Sequence, residues 1–198
     1  MRHRIGAAQD SGSLFPEWLC RVAIAMIILA YVVLRPIAAR TGEVRQPTEQ
    51  EVKVALLYKF AKFVEWSEVR MREAKTFRIC ILGRNPFGEA LGLLEGKQIK
   101  DMPLAVHFAR EPAEVGACHI VFVGRDWAER FDEVLATLGS RGVLFVGDIS
   151  GFAQRGGVLE FSLENGRVGF AINPDAARRE GLAISSKLMR LARVVDGN

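Results

Sequence analysis

Three short apolar runs constrain the fold of this chain more than any other feature: Phe77–Leu82 and residues 119–123 and 143–146. Apart from Arg78 and His119 near their starts, these runs are apolar at successive positions rather than alternating, which is typical of strands buried on both faces. Helical patterns separate the runs, and strands that alternate with helices form mostly parallel sheets joined by right-handed crossovers. The sequence therefore predicts an α/β fold, a mostly parallel sheet flanked by helices that resembles half of a Rossmann-type doubly wound domain.

The pattern changes near the C-terminus. Residues 158–163 and Arg167–Ile172 alternate between apolar and polar, and Asn165-Gly166 lies between them. Asn-Gly between alternating strands is a strong hairpin signal, so an antiparallel hairpin should be added to the sheet. Asn173-Pro174 then predicts a short helix, and residues 185–195 predict a closing helix.

Capping signals predict where two earlier helices begin. Pro47 and the capping box Thr48-x-x-Glu51 should start a helix that runs to about Trp66. A second box, Asp126-x-x-Glu129, should start a helix that stops at Gly139. In the loop 83–88, Asn85 and Pro86 are expected at the start of a helix that ends near residue 94.

The helix predicted after Thr48 is unusually apolar, and only Lys59, Lys62 and Glu65 leave a narrow polar face. Such a helix must be covered on two sides. Either the sheet and another helix bury it, or it forms a dimer or partner surface. In the second case Leu57, Phe60 and, from the hairpin, Phe170 are the candidate interface residues.

The N-terminus carries the parts of a secretion signal. Residues 22–34 are uncharged and apolar, too short a run to span a bilayer comfortably, and basic residues precede them. Pro36 and the small residues Ala38 and Ala39 follow, so cleavage is expected after Ala39. We predict a signal at 1–39, a flexible leader at 40–49 and a single domain at 50–196; the alternative is an uncleaved membrane anchor.

Charge argues against a nucleic-acid partner. The sequence pI is about 9.2, but four of the 27 basic and two of the 23 acidic residues lie in the predicted signal. The exported part is therefore nearly neutral, without the strong positive charge that binding to nucleic acid requires.

Catalytic and metal motifs are not apparent in the sequence after residue 39. Its two histidines, His107 and His119, stand in no recognisable ligand spacing. No nucleophile-elbow motif is present, and Ser185-Ser186-Lys187 at a predicted helix start is better explained as capping. We expect a protein that binds rather than catalyses, without a cofactor.

Polar residues follow the predicted strands at one edge of the sheet. Open α/β sheets bind ligands beyond the carboxyl ends of their strands, which makes Arg84, Asn85, Arg125 and Asp148 a candidate ligand rim. The alternative is that these residues only form and cap loops.

Two cysteines, Cys80 and Cys118, remain after the predicted signal. In an exported protein such a pair is interpreted first as a disulfide. Two buried thiols are the alternative.

Several segments of the chain carry a combined signal: 54–66 (VALLYKFAKFVEW), Phe77–Leu82 leading to 85–88 (NPFG), 118–123 (CHIVFV), 148–152 (DISGF), and 170–173 (FAIN) followed by 181–188 (GLAISSKL). Together these segments resemble the YfiR family of small periplasmic regulators, over about residues 50–195.

The resemblance implies a periplasmic protein without enzymatic activity. Such a protein binds the external sensor region of a membrane-bound diguanylate cyclase and represses it, lowering cyclic-di-GMP and biofilm formation. Other members occur beside or fused to sensor kinases, and a homodimer is plausible. Characterised members respond to redox state and carry two disulfides, of which this chain has only the pair Cys80 and Cys118. A periplasmic small-ligand-binding protein is the alternative function.

Overall fold

The computed structural model describes residues 21–22, 24–27 and 45–196. The chain divides into two compact units, 1–45 and 46–198. In the first unit residues 21–22 and 24–27 are helical, and most of the predicted signal and leader lie outside the described residues. None of the described helices is long and apolar enough to cross a membrane.

The second unit is built around one large sheet. Its strands are β1 (Val64–Glu65), β2 (Phe77–Leu82), β3 (Gln98–Ile99), β4 (Met102–Ala109), β5 (Ile120–Val123), β6 (Leu144–Gly147), β7 (Leu159–Glu164), β8 (Arg167–Ile172), β9 (Ala183–Ile184) and β10 (Arg193–Val194). Its α-helices are α1 (Glu49–Phe63), α2 (Glu68–Glu73), α3 (Phe131–Leu138), α4 (Pro174–Arg179) and α5 (Ser186–Met189). Shorter 3₁₀ helices cover Gly88–Leu94, Pro112–Glu114 and Arg125–Trp127.

The large sheet has eight strands in the order β10-β8-β7-β6-β5-β2-β4-β3. Strands β4, β2, β5, β6 and β7 run parallel to one another. The hairpin partner β8 runs antiparallel to β7, and β1 and β9 form a separate two-stranded sheet. The structure confirms the predicted α/β fold and its C-terminal hairpin.

The two faces of the sheet bury two separate cores, which explains why the central strands are continuously apolar. Ile79 and Ile81 of β2 contribute to a core that includes α1. Cys80 and Leu82 contribute to a second core on the opposite face, with Phe131 of α3. Successive side chains of a strand point to opposite faces, so both sets of residues must be apolar.

Helix α1 begins as predicted and ends earlier than predicted. The Thr48 hydroxyl accepts from the Glu51 amide at 3.2 Å and the Glu51 carboxylate accepts from the Thr48 amide at 2.7 Å, which completes the capping box. The helix ends at Phe63, and Val64 and Glu65 pair instead with β9.

The structure corrects the proposed interface on α1. Leu57 and Phe60 are fully buried, and Phe170 is 8% exposed. The helix packs against β8, the 3₁₀ helix Gly88–Leu94 and α5, which is the first of the two explanations for its apolar character. These three side chains belong to the core and are not available to a partner in this conformation.

Three further predictions of local structure were wrong. Helix α3 begins at Phe131 without a side-chain cap, because Asp126 bonds elsewhere. Asn85 does not cap the helix after β2; its Oδ1 accepts from the Phe87 amide at 2.9 Å, which forms a turn. The closing helix is only α5, and the chain then forms β10 beside β8.

Phe152 occupies a space that two glycines leave open. A Cβ on Gly147 would lie 2.8 Å from its ring, and a Cβ on Gly157 would lie 2.2 Å from it. Phe152 is fully buried, and its ring centroid lies 4.2 Å from that of Phe131. The second core therefore depends on the missing side chains as much as on the aromatic rings.

We expect Gly157→Ala to destabilise the fold by about 1–3 kcal/mol, because the added methyl displaces a fully packed ring. Gly92→Ala is the control, since the nearest atom to a Cβ there is Glu95 Oε1 at 4.0 Å. Urea unfolding followed by circular dichroism measures both variants. Equal stability of the two variants would contradict this account of the Phe152 packing.

Candidate functional site

The carboxyl edge of the parallel strands holds a cavity of about 280 Å³. The loops after β2, β5 and β6 supply Arg84, Asn85, Arg125 and Asp148, the four residues predicted for the ligand rim. The structure therefore brings all four to one cavity. The remaining lining residues are Glu49, Gln50, Lys53, Pro86 and Asp126.

Asp148 is the most deeply placed acid of this cavity, with a side chain 7% exposed. Its Oδ2 lies 3.2 Å from Lys53 Nζ and 3.3 Å from Arg125 Nε. Its Oδ1 is buried without a hydrogen-bond partner among the described residues. One carboxylate oxygen is thus shared by two cations, and the other retains its capacity to accept a hydrogen bond.

Lys53 connects helix α1 to this edge of the sheet. Its side chain is 7% exposed, and its Nζ lies 2.6 Å from Glu49 Oε1, one turn earlier in the helix. The same Nζ lies 5.9 Å from the ring centroid of Phe161, within reach of a cation–π interaction. A buried ammonium is tolerated here because two carboxylates compensate its charge.

Asp126 connects the loop after β5 to the loop after β2. Its carboxylate accepts from the Arg84 amide at 3.2 and 3.1 Å. A Cβ on Gly83 or Gly124 would lie 2.6 or 2.5 Å from this carboxylate. Gly83 also has a φ of +87°, which a residue without a side chain adopts without strain. These two glycines therefore let Asp126 hold Arg84 at the rim.

Lys53 and Glu49 were missed by the sequence interpretation. Lys53 lies one turn before Leu57 and two turns before Ala61, both of which are buried, so it belongs to the apolar stripe of the helix. A lysine in such a stripe signals a buried charge that needs a carboxylate partner. The Glu49–Lys53 spacing supplies one such partner, but Asp148 could not be assigned without the fold.

The cavity is lined by charged side chains of both signs. Lys53, Arg84 and Arg125 are matched by Glu49, Asp126 and Asp148, so the formal charges of the lining residues cancel. The described lining residues include no serine, cysteine, histidine or tyrosine, and their ionisable groups are three carboxylates, one lysine and two arginines. No group of three potential metal ligands occurs in the described part of the chain. The arrangement fits a ligand that carries both charges or several polar groups.

Cys80 and Cys118 form a disulfide, with their Cα atoms 6.0 Å apart. It connects β2 to the segment before β5, two residues ahead of Ile120, and both cysteines are at least 99% buried. This confirms the predicted pairing. In the chain-entropy model, closing a loop with a sequence separation of 38 stabilises the fold by about 4 kcal/mol.

The second unit is a small α/β domain with one disulfide and a polar cavity at the carboxyl edge of its sheet. Residues 50–193 match the model of the YfiR/HmsC-like family. The chain belongs to that family, which confirms the resemblance drawn from its motifs. Comparison with curated proteins gave no match.

We expect Lys53→Met to destabilise the fold by about 3 kcal/mol, because it leaves the Asp148 carboxylate buried with less compensation. Lys59→Met is the matched control: Lys59 lies on the same helix and is exposed, so its replacement should change stability by less than about 0.5 kcal/mol. Urea unfolding measures both variants. If Lys53→Met is as stable as Lys59→Met, the Lys53–Asp148 pair does not stabilise this edge.

Proposed function

We propose that this chain is a non-enzymatic periplasmic regulator. It binds the external sensor region of a membrane signalling protein, a diguanylate cyclase, and represses it, which lowers cyclic-di-GMP. The observation that carries the proposal is the match of residues 50–193 to the YfiR/HmsC-like family, a family of periplasmic regulators. The apolar run at 22–34 supports export, and a buried disulfide is typical of an oxidising compartment.

A partner needs a surface other than the buried face of α1, and the outer edge of β4 provides one. In the described part of the chain, β3 pairs with β4 only at Met102 and Pro103. The rest of this edge has no strand beside it. Such an edge presents backbone donors and acceptors that an added strand can pair with.

Apolar side chains line a groove beside this edge. The groove has a volume of about 490 Å³ and lies between β4 and the 3₁₀ helix Gly88–Leu94. Leu104, Val106 and Phe108 alternate along β4 on the groove side, and Phe108 is 55% exposed. The 3₁₀ helix contributes Leu91 and Leu94, and the polar residues of the lining are Asn85, Glu89 and Glu95. An extended segment of the sensor could pair with β4 and place alternate side chains in the groove.

Phe108→Glu tests this surface, because it places a charge in the groove without entering the core. Leu163→Glu is the matched control. Leu163 is 54% exposed and lies in the hairpin strand β7, which β6, β5 and β2 separate from β4 in the sheet. We expect Phe108→Glu to reduce crosslinked recovery of the cyclase from intact cells by about tenfold or more and to raise cyclic-di-GMP. Leu163→Glu should do neither.

Circular dichroism must show that both variants are folded. Loss of the cyclase with Leu163→Glu alone would move the interface to the hairpin. Two results together would contradict the proposed function itself. The unmodified chain would recover no cyclase, and deletion of the chain would leave cyclic-di-GMP unchanged.

A small-ligand-binding protein is the second candidate, favoured because the four predicted rim residues surround one cavity. Thermal unfolding of the full chain with a panel of zwitterionic metabolites tests it. A true ligand at about 100 times its dissociation constant should stabilise the fold by about 2.7 kcal/mol. Arg125→Gln, at a side chain that is 72% exposed, should weaken that stabilisation. Equal stabilisation of both proteins would exclude the rim as the binding site.

A further inference from the structure

A second polar cavity lies at the amino ends of β2 and β5, opposite the rim. Its volume is about 350 Å³. The charged or titratable residues that line it are Arg70, Glu73, Lys75, Arg78 and His119. The three basic residues outnumber the single acid, so the cavity is positively charged whatever the state of His119.

His119 is the buried polar group of this cavity. It is 2% exposed, and its ring stacks on Phe77 with 4.4 Å between centroids. Its Nδ1 accepts from the Arg78 amide at 3.1 Å, so the proton of the neutral ring is on Nε2. That Nε2 has no hydrogen-bond partner among the described residues, although buried donors are nearly always paired.

The charge state of this ring is fixed by its surroundings. Burial, and to a smaller extent the positive charges of Arg70 and Arg78, together lower the pKa of His119 to about 4. At neutral pH the imidazole is therefore uncharged, and its Nε2–H is a donor held in one orientation by the Arg78 amide and the Phe77 ring.

Arg70 supplies a second donor without a partner. Its two terminal nitrogens donate to the carbonyl oxygens of Arg141 and Cys118, each at 2.5 Å. These bonds fix the plane of the guanidinium. Its Nε is buried and has no hydrogen-bond partner among the described residues, so this N–H group is an unpaired donor.

We propose that this cavity is a binding site for a small anion, a carboxylate or a phosphate. The Nε2–H of His119 and the Nε–H of Arg70 donate to the anion, while Arg78 and Lys75 provide compensating charge. Two oriented N–H donors and nearby cations are the arrangement that favours acidic oxygens over neutral ligands. The site is separate from the rim and from the β4 edge, so it is independent of the proposed function.

Nitrogen-detected NMR of the histidine rings tests the site in the full chain. Phosphate, acetate and succinate are each titrated at constant ionic strength, with chloride as the balancing anion. We expect a saturable shift of the His119 Nε2 resonance with at least one of them, and the anion that saturates identifies the ligand class. His107, which is exposed on β4, is the internal control and should not follow the same curve.

Exposed charges provide variants that should fold normally. Arg78→Gln should weaken binding of the anion by about tenfold, because it removes one of the nearby compensating charges. Arg167→Gln, an exposed arginine on the hairpin, should leave the affinity unchanged. The proposal is overturned if no anion gives a saturable His119 shift, or if Arg78→Gln and Arg167→Gln weaken binding equally, since that result indicates non-specific charge attraction.

Discussion

The burial of β2 on every side is the constraint on which the rest of the structure depends. This strand pairs in parallel with β4 on one edge and β5 on the other, and its two faces contribute to two separate apolar cores. Its backbone N–H and C=O groups are hydrogen-bonded to β4 and β5. A charged side chain at its centre would carry a large desolvation cost. Polar chemistry is therefore confined to the strand ends, and both polar cavities described above lie there, the rim after Leu82 and the cationic cavity around Arg78.

Helix α1 contributes to the cavity at the carboxyl ends of the parallel strands, together with the loops that follow those strands. Because the helix is buried against one face of the sheet, its first turns reach the edge where β6 ends, and Lys53 meets Asp148 at 3.2 Å. The Lys53–Asp148 pair connects α1 to the end of β6, and both residues line the rim cavity. Helix α1 also contacts the 3₁₀ helix Gly88–Leu94 beside the β4 groove. This gives the rim and the proposed partner surface a common element.

Sequence patterns predicted the parts of the fold that depend on neighbouring residues. The strand Phe77–Leu82, the Thr48 capping box and the Asn165-Gly166 hairpin are local, and all three are confirmed. The errors occur where a distant segment decides. Helix α1 stops at Phe63 because β9 pairs with residues 64 and 65, and Asp126 caps no helix because Gly83 and Gly124 admit its carboxylate beside Arg84. The rim residues could be grouped from strand order alone, but the buried Lys53–Asp148 pair required the packing of α1.

Cys118 is held both by a disulfide and by a hydrogen bond from Arg70. Its sulfur is bonded to Cys80 in β2, its carbonyl accepts from Arg70 at 2.5 Å, and the next residue is His119. The disulfide fixes the chain before β5 relative to β2, and Arg70 fixes the same peptide from α2. Both unpaired donors of the cationic cavity are therefore held by contacts that include residues 118 and 119. The geometry of this cavity therefore depends on one covalent bond and on hydrogen bonds from α2 and β2.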